Sequence, residues 1–367
     1  MNKPAPYTQA DFGHSPFVMF YEVTRACDLA CKHCRACAQP LPHAKQLSTE
    51  MSKTLISQIA SFPKPPVLVF TGGDPMKRQD IFELVHHAVE AGIQAAMTPS
   101  ATPLVTLDAL RKLKEAGLSR LAVSLDSEDA AVHDGFRGVP GSFARTMDIL
   151  HDAREAGLSL QINTTITKRN VNQVDAMADL IGTFGIALWS VFFLVPVGRG
   201  LAEQRIEPWQ YEMVFEKLWQ HAQSQPFAVK TTEAHHYRRF VLQREGDPQR
   251  NAMAIPDRIQ RAPIGVNDGK GVMFVSHTGS VYPSGFMPIL CGKFPQESVV
   301  DVYQNSETFQ AMRDPDRLKG KCGMCEFRGI CGGSRARAYA ITNDPLGAEP
   351  DCVYVPSALR EGVACSA

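Results

Sequence analysis

The sequence predicts an α/β fold with a parallel sheet, followed by a smaller cysteine-rich region. Three observations support this. Short apolar runs alternate with amphipathic segments over about the first 220 residues, several of those segments end in glycine, and the alternation stops near residue 225. A crossover helix returns the chain to the same edge of a sheet, so six strand–helix units in succession imply parallel strands.

Six apolar runs are predicted as strands. They are FVMFYEVT (17–24), PVLVFTG (66–72), QAAMTPS (94–100), RLAVSLD (120–126), SLQINTTIT (159–167) and LWSVFFLVP (188–196). Between them, segments such as DIFELVHHAVEAG carry apolar residues at intervals of three and four, as helices do. This periodicity is compatible with an open sheet and with a barrel. In both folds ligands bind at the carboxyl ends of the strands, so functional residues are expected directly after each run.

The chain after about residue 225 is predicted to have a different organisation. KTTEAHHYRRFV is expected to be helical, and GVMFVS and VYPS are expected to form a hairpin around the turn HTGS. The predicted segments are an N-terminal extension (1–16), the α/β region (17–225), a helical connector (226–269), a cysteine-rich region (270–355) and a tail (356–367).

Composition limits the classes of function. The 38 basic and 38 acidic residues cancel, so no charge excess points to nucleic acid or to a membrane surface. The sequence lacks both the run of about 18 apolar residues that a membrane span needs and a signal-peptide pattern. We therefore expect a cytoplasmic protein whose partner is a small molecule or a peptide. In that compartment the ten cysteines are expected to be metal ligands or reactive thiols rather than disulfides.

The first cysteine group lies in CDLACKHCRAC (27–37), directly after the first predicted strand. One possible triplet is Cys27, Cys31 and Cys34. The other, Cys31, Cys34 and Cys37, lacks the further Cys-Pro of a ferredoxin run. All four cysteines together would suit zinc. Three thiolates on a four-iron cluster leave one iron with an open coordination position, which is typical of a catalytic metal.

The first triplet resembles the C-x3-C-x2-C signature of the radical S-adenosylmethionine (SAM) superfamily. The resemblance implies a partial (β/α)6 TIM barrel in which Cys27, Cys31 and Cys34 hold a [4Fe-4S] cluster. It also implies that SAM chelates the open iron and is cleaved reductively to a 5′-deoxyadenosyl radical. Cys37 is then expected to be a small buried residue beside the cluster.

Other residues at strand ends match the same superfamily. TGGDP (71–75) resembles its GGEP motif, with an aspartate in place of the usual glutamate. Taken singly, each match has an ordinary explanation as a turn, a helix cap or a partner of buried backbone. Together the resemblance implies a SAM-binding set, which comprises His33, Gly72, Gly73, Asp74, Ser124, Asp126, Arg137 and Asn163.

The second cysteine group comprises Cys322, Cys325, Cys331 and Cys352, with spacings x2, x5 and x20. The spacing alone suits zinc or a four-iron cluster. The region resembles the SPASM/twitch extensions of radical SAM enzymes, which implies one auxiliary [4Fe-4S] cluster. A full SPASM domain has further cysteines, but here Ser284 stands in one of those positions and only Cys291 remains nearby.

Motifs across the chain most resemble the radical heme maturases. They include CKHCRA (31–36), FTGGDP (70–75), LKGKCGMCE (318–326) and CGGSRARAY (331–339). This resemblance implies oxidative tailoring of a tetrapyrrole, with flavodoxin or ferredoxin as electron donor.

Several basic side chains are candidate substrate ligands under this interpretation. Arg199, Arg335 and Arg337 are candidates for binding substrate carboxylates. His235 and His236 are candidate axial ligands, or an exposed pair on a helix. Two alternatives stay open: a SPASM-type peptide maturase and a non-catalytic tetrapyrrole or metal carrier.

Overall fold

The computed structural model describes residues 7–245 and 262–360. Its centre is a parallel sheet that confirms all six predicted strands and adds a seventh. The strands are β1 (Val18–Thr24), β2 (Val67–Gly72), β3 (Ala95–Met97), β4 (Arg120–Ser124), β5 (Leu160–Ile166), β6 (Leu188–Phe193) and β7 (Ala228–Thr232). They lie side by side in chain order, and every neighbouring pair is parallel.

Helices connect these strands and cover the outer face of the sheet. They are α1 (Thr49–Ala60), α2 (Ile81–Glu90), α3 (Leu107–Glu115), α4 (Ala130–Arg137), α5 (Ser142–Glu155), α6 (Val174–Gly182), α7 (Pro208–Ser224) and α8 (His236–Glu245). Side-chain caps fix several starts: Ser48 accepts a hydrogen bond from the amide of Met51, and Thr106 from that of Ala109. The apolar faces of strands and helices form one large buried core.

The segment after α7 differs from the prediction. The KTT of KTTEAHHYRRFV belongs to β7, and the helix begins only at His236. The sheet therefore continues past residue 225 into the predicted connector. Residues 246–261 of that connector, residues 1–6 of the N-terminal extension and residues 361–367 of the tail, with Cys365, lie outside the described residues.

The C-terminal region adds further strands to the same sheet. Its elements are β8 (Asn267–Asp268), β9 (Gly271–Val275), β10 (Ser280–Tyr282), β11 (Gly292–Lys293), α9 (Val299–Asn305), α10 (Glu307–Arg313), α11 (Gly320–Gly323), α12 (Arg335–Thr342) and α13 (Ser357–Arg360). The predicted hairpin is confirmed, because β9 and β10 are antiparallel. In addition, β9 pairs with β1 in parallel, with Val18 beside Val272. The cysteine-rich region is therefore continuous with the main sheet.

Two consequences of this architecture bear on function. One cavity is lined by residues that end or follow β1 to β6, so the sheet curves around it as in a partial barrel. None of the helices in the described ranges is long and apolar enough to cross a membrane.

Candidate functional site

A cavity of about 200 Å³ lies at the carboxyl ends of the barrel strands. Nine of the eleven residues that the sequence assigns to the first cluster and to SAM line it, although they come from different loops. The predicted residues in its wall are Cys27, Cys31, His33, Cys34, Gly72, Gly73, Ser124, Arg137 and Asn163. They converge because parallel strands bring all their carboxyl ends to one side of the sheet.

The loop that follows β1, residues 25–38, is called the cluster loop here. The backbone fixes it from two sides: the amide of Lys32 donates to the carbonyl of Phe136 (2.9 Å), and that of Asp74 to the carbonyl of Ala26 (2.7 Å). At Gly73 an added Cβ would lie 2.5 Å from the Ala26 carbonyl oxygen. Only glycine allows β2 to end this close to the cluster loop.

Three thiols of the cluster loop line the cavity. The Cys27 and Cys31 side chains are buried, and all nine cysteines in the described part of the chain are free. The backbone amide of Leu29 donates to the Cys27 sulfur (3.3 Å), and the Arg137 guanidinium to the Cys31 sulfur (3.8 Å). Free thiols that receive N–H donors and face one cavity fit an iron–sulfur cluster.

The fourth cysteine of this segment is placed differently. Cys37 does not line the cavity, and it is exposed rather than buried as expected. Its backbone has a left-handed conformation with φ of 47°. Its neighbours Arg35, Ala36 and Ala38 line the cavity, so the chain turns outward only locally, at Cys37.

Asp126 supports the cavity wall without lining it. Its buried carboxylate lies 2.6 Å from Arg137 Nη2 and 3.8 Å from His33 Nε2, and it accepts a hydrogen bond from the Thr165 amide (2.9 Å). Burial alone would raise the pKa of Asp126, but Arg137 and His33 lower it below its ordinary value. Asp126 therefore holds the positions of two cavity-lining side chains.

His33 and Arg137 retain unused hydrogen-bonding capacity. Burial lowers the pKa of His33 to about 4, so the ring is neutral at pH 7. His33 Nδ1 and Arg137 Nε are buried and have no hydrogen-bond partner in the described structure. Polar atoms of this kind in a cavity wall fit a polar ligand such as SAM.

Asp74 is also turned away from the cavity. Its buried carboxylate accepts hydrogen bonds from the Thr102 hydroxyl (2.7 Å) and from the amides of Met76 and Ser100. It therefore ties the loop after β2 to the loop after β3. Ser100, which sequence reasoning missed, lines the cavity and lies 3.3 Å from the Cys27 sulfur. Its only sequence signal is its position at the end of the predicted strand QAAMTPS.

A second cavity is surrounded by Cys322, Cys325, Cys331 and Cys352. The amide of Glu349 donates to the Cys322 sulfur (3.2 Å), and that of Gly333 to the Cys331 sulfur (3.4 Å). Burial raises the pKa of Cys331 to about 12, so a bound metal would be needed to stabilise its thiolate. Cys291 lines neither cavity and donates a hydrogen bond to the carbonyl of Ile289.

The hypothesis that Arg335 and Arg337 bind substrate is wrong. Both are fully buried: Arg335 donates to the carbonyls of Pro345 and Gly347, and Arg337 is paired with Glu349 (3.1 Å). Arg337 also donates to the carbonyls of Phe193 and Leu194, and so connects Glu349 of the second cavity to the barrel.

The remaining sequence candidates also have structural contacts. Arg199 lines the large cavity, but it donates to the carbonyls of Cys31 (2.8 Å) and Ala38 (3.1 Å) and so braces the cluster loop. His235 and His236 are buried rather than exposed. His236 lines the cavity of the second cysteine group, and neither of its ring nitrogens has a partner in the described residues.

Comparisons with known proteins agree with this geometry. Residues 21–181 match the radical SAM superfamily. The chain is 36% identical to an AdoMet-dependent heme synthase of Methanosarcina barkeri, over 94% of this chain and 98% of that protein. Identity to an AdoMet-dependent heme synthase of Nitratidesulfovibrio vulgaris is 38%, over 96% of each. The crystal structure of Streptococcus suis SuiB bound to S-adenosylmethionine has a TM-score of 0.72 at 16% identity, covering 93% of this chain and 78% of that chain.

Proposed function

The chain belongs to the radical SAM superfamily, and we propose that this radical SAM enzyme is a heme b synthase, which oxidatively decarboxylates two propionates of an iron porphyrin. The observation that carries this proposal is identity of 36–38% to AdoMet-dependent heme synthases along nearly the whole chain. Likeness of that extent includes the second cysteine group and the barrel interior, and is not confined to the cluster loop.

The residues around the large cavity would hold the superfamily's [4Fe-4S] cluster and SAM. We assign the cluster to Cys27, Cys31 and Cys34. When bound, the cluster and SAM supply a 5′-deoxyadenosyl radical that takes a hydrogen atom from a propionate β-carbon, after which loss of carbon dioxide and one electron leaves a vinyl group.

The SAM contacts are assigned within the same cavity wall. His33, Gly72, Gly73, Ser124, Arg137 and Asn163 all line the cavity. Asp74 and Asp126, which do not line it, would act by orienting the loops and side chains around the cosubstrate.

The second cavity would hold one auxiliary [4Fe-4S] cluster. Four free thiols around a single cavity, with backbone N–H groups directed at two of the sulfurs, are a suitable donor set. Its expected role is to accept the electron released with carbon dioxide. Flavodoxin or ferredoxin is the proposed donor to the first cluster. A reducing compartment keeps such thiols free, so we propose a cytoplasmic location.

The decisive test is decarboxylation of iron-coproporphyrin III by anaerobically reconstituted enzyme with SAM and a reductant. The expected products are 5′-deoxyadenosine and an iron porphyrin with two vinyl groups, both measured by mass spectrometry. Formation of 5′-deoxyadenosine without any vinyl product would contradict the substrate assignment. It would direct the search to precursor peptides encoded beside this gene, as expected for a peptide maturase. No 5′-deoxyadenosine from fully loaded protein would instead favour a non-catalytic tetrapyrrole or metal carrier.

A further inference from the structure

The strand register places a row of polar residues at one level of the barrel. Ser124 of β4 pairs with Asn163 of β5, Asn163 with Ser190 of β6, and Ser190 with Lys230 of β7. Paired residues in neighbouring strands project from the same face of a sheet. Ser124 and Asn163 line the large cavity, so the row leads from the cavity wall to Lys230.

Neighbouring contacts on β7 agree with this orientation. Val229 packs against the core between the sheet and the helices, and successive side chains of a strand point to opposite faces. The Thr232 hydroxyl, on the same face as Lys230, lies 3.3 Å from that of Ser190. Lys230 itself is exposed to water. Its side chain therefore projects from the inner face of the sheet, on the edge strand β7, and does not itself line the large cavity.

Lys230 differs from the arginines of the cavity wall in having no protein partner. Arg35 is paired with Glu22 and Arg137 with Asp126. Within residues 7–245 and 262–360, by contrast, no hydrogen bond or ion pair reaches Lys230. A lysine ammonium group that is exposed to water and has no protein partner is available to bind an anion through a charge-assisted hydrogen bond.

The surroundings of Lys230 add further positive charge. Partial desolvation by the surrounding protein atoms, followed by the charges of Arg120 and Arg238, lowers the pKa of Lys230 to about 8. Arg120 is on β4, four residues before Ser124 and therefore on the same face of the strand. Its side chain contacts the Gln161 amide oxygen at 3.5 Å. Arg238 is on α8 and donates to the carbonyl of Ile330. These three cations repel one another, and an anionic ligand bound near Lys230 would reduce that repulsion.

We propose that Lys230 binds a carboxylate of the substrate, on the same level of the barrel as the cosubstrate contacts Ser124 and Asn163. This inference rests on the proposed function. It assigns Lys230 to a propionate that anchors the porphyrin, with Arg120 and Arg238 contributing to the potential. An iron porphyrin with four propionates has carboxylates both for anchoring and for reaction.

The test is anaerobic titration of the reconstituted full-length enzyme with iron-coproporphyrin III, followed through the porphyrin absorption band. The variants are Lys230→Met and Lys230→Arg, and the matched control is Lys112→Met, on the outer face of α3 and paired with Asp108. The tetra-amide of the same porphyrin, which has no carboxylates, is titrated in parallel. SAM cleavage without porphyrin checks that the first cluster is intact.

Because it loses one charged hydrogen bond, the Lys230→Met variant should bind iron-coproporphyrin III, the tetra-acid, about 10- to 100-fold more weakly than the wild type does. Lys230→Arg should retain most of the affinity, and the tetra-amide should bind all variants alike. Equal affinity of wild type and Lys230→Met for the tetra-acid would overturn this inference and leave the proposed function intact. The same holds if Lys230→Met weakens both porphyrins equally. Failure of the wild type to bind the tetra-acid would overturn the proposed function, and this inference with it.

Discussion

Replacement of Arg337 by methionine tests whether the second cysteine group and the barrel are mechanically connected. The buried Arg337 guanidinium lies 3.1 Å from a Glu349 carboxylate oxygen and 3.2 Å from one of Asp351. It also donates to the carbonyls of Phe193 and Leu194, the two residues where β6 ends at the large cavity. The methionine would fill much of the same space but would leave these acceptors without their donor.

The expected loss of stability depends on which hydrogen-bond partners Asp351 and Glu349 keep when Arg337 is replaced. Removing one member of a buried ion pair costs about 3–5 kcal/mol. Asp351 keeps the Arg205 guanidinium at 2.6 Å and the Tyr211 hydroxyl at 2.7 Å, so its charge stays compensated. Within the described residues, Glu349 keeps backbone donors alone, from Ser334 at 2.6 Å and from Asp351 at 3.1 Å. We therefore expect the lower end, about 3 kcal/mol.

The assay is thermal unfolding under anaerobic conditions, with iron content measured on the same samples. A loss of about 3 kcal/mol should lower the melting temperature of a chain of this length by roughly 4 °C. Bound iron should also fall, because the Glu349 amide donates to the Cys322 sulfur. The control is Arg111→Met, whose exposed pair with Glu155 should cost less than about 1 kcal/mol. If Arg337→Met melts within roughly 2 °C of this control, the buried pair does not support the fold as described.

Three further predictions follow from the cluster loop and the barrel interior. Gly73→Ala forces a Cβ to 2.5 Å from a backbone carbonyl oxygen and should lower stability and iron content, whereas Gly135→Ala, with no atom within 4 Å, should do neither. Iron analysis of Cys27→Ala should show the loss of one cluster together with all 5′-deoxyadenosine formation, while Cys37→Ala should keep both; equal losses would contradict the assignment of the triplet. Lys230 loses its charge as pH rises through its pKa of about 8, so porphyrin affinity should fall between about pH 7 and 9 in the wild type but not in Lys230→Arg, whose guanidinium stays charged; matching pH profiles would refute this.

The stability associated with Lys230 has the opposite pH dependence from its binding role. Its folded pKa lies below the ordinary lysine value of 10.5, because partial desolvation and two nearby cations disfavour the charged form. The unfolded chain therefore binds more protons than the folded protein between about pH 8 and 10.5. As pH rises through that range, the contribution of Lys230 to the free energy of unfolding increases, so the fold becomes more stable. Weaker porphyrin binding above pH 8 would thus not reflect unfolding through this group.

The barrel and the residues of its cavity could largely be predicted from the sequence. Each strand and its following turn are local patterns, and a parallel sheet brings strand ends together whatever the details. What could not be predicted is the direction of individual side chains. Asp74 and Asp126 occupy the expected loops, but their carboxylates bond to neighbouring loops and side chains, and this depends on contacts distant in sequence.

The burial of side chains in the C-terminal region was the feature hardest to predict from the sequence. Arg335 and Arg337 have the composition of a solvated helix face, yet both are buried because they supply donors to Pro345, Gly347 and Glu349. The strand β7 was missed because its short KTT segment precedes a helix and lacks a long apolar run. The pairing of β9 with β1 joins segments far apart in the chain, and no local pattern indicates it.

That pairing also determines when the enzyme can be completed in the cell. During synthesis β1 emerges early, but its neighbour β9 is made only when residues 271–275 leave the ribosome. Until then one edge of β1 has no partner, and the strand that leads into the cluster loop is supported from one side only. A chain that stopped short of residue 271 would still contain Cys27, Cys31 and Cys34, but not the strand that pairs with β1 on its second edge.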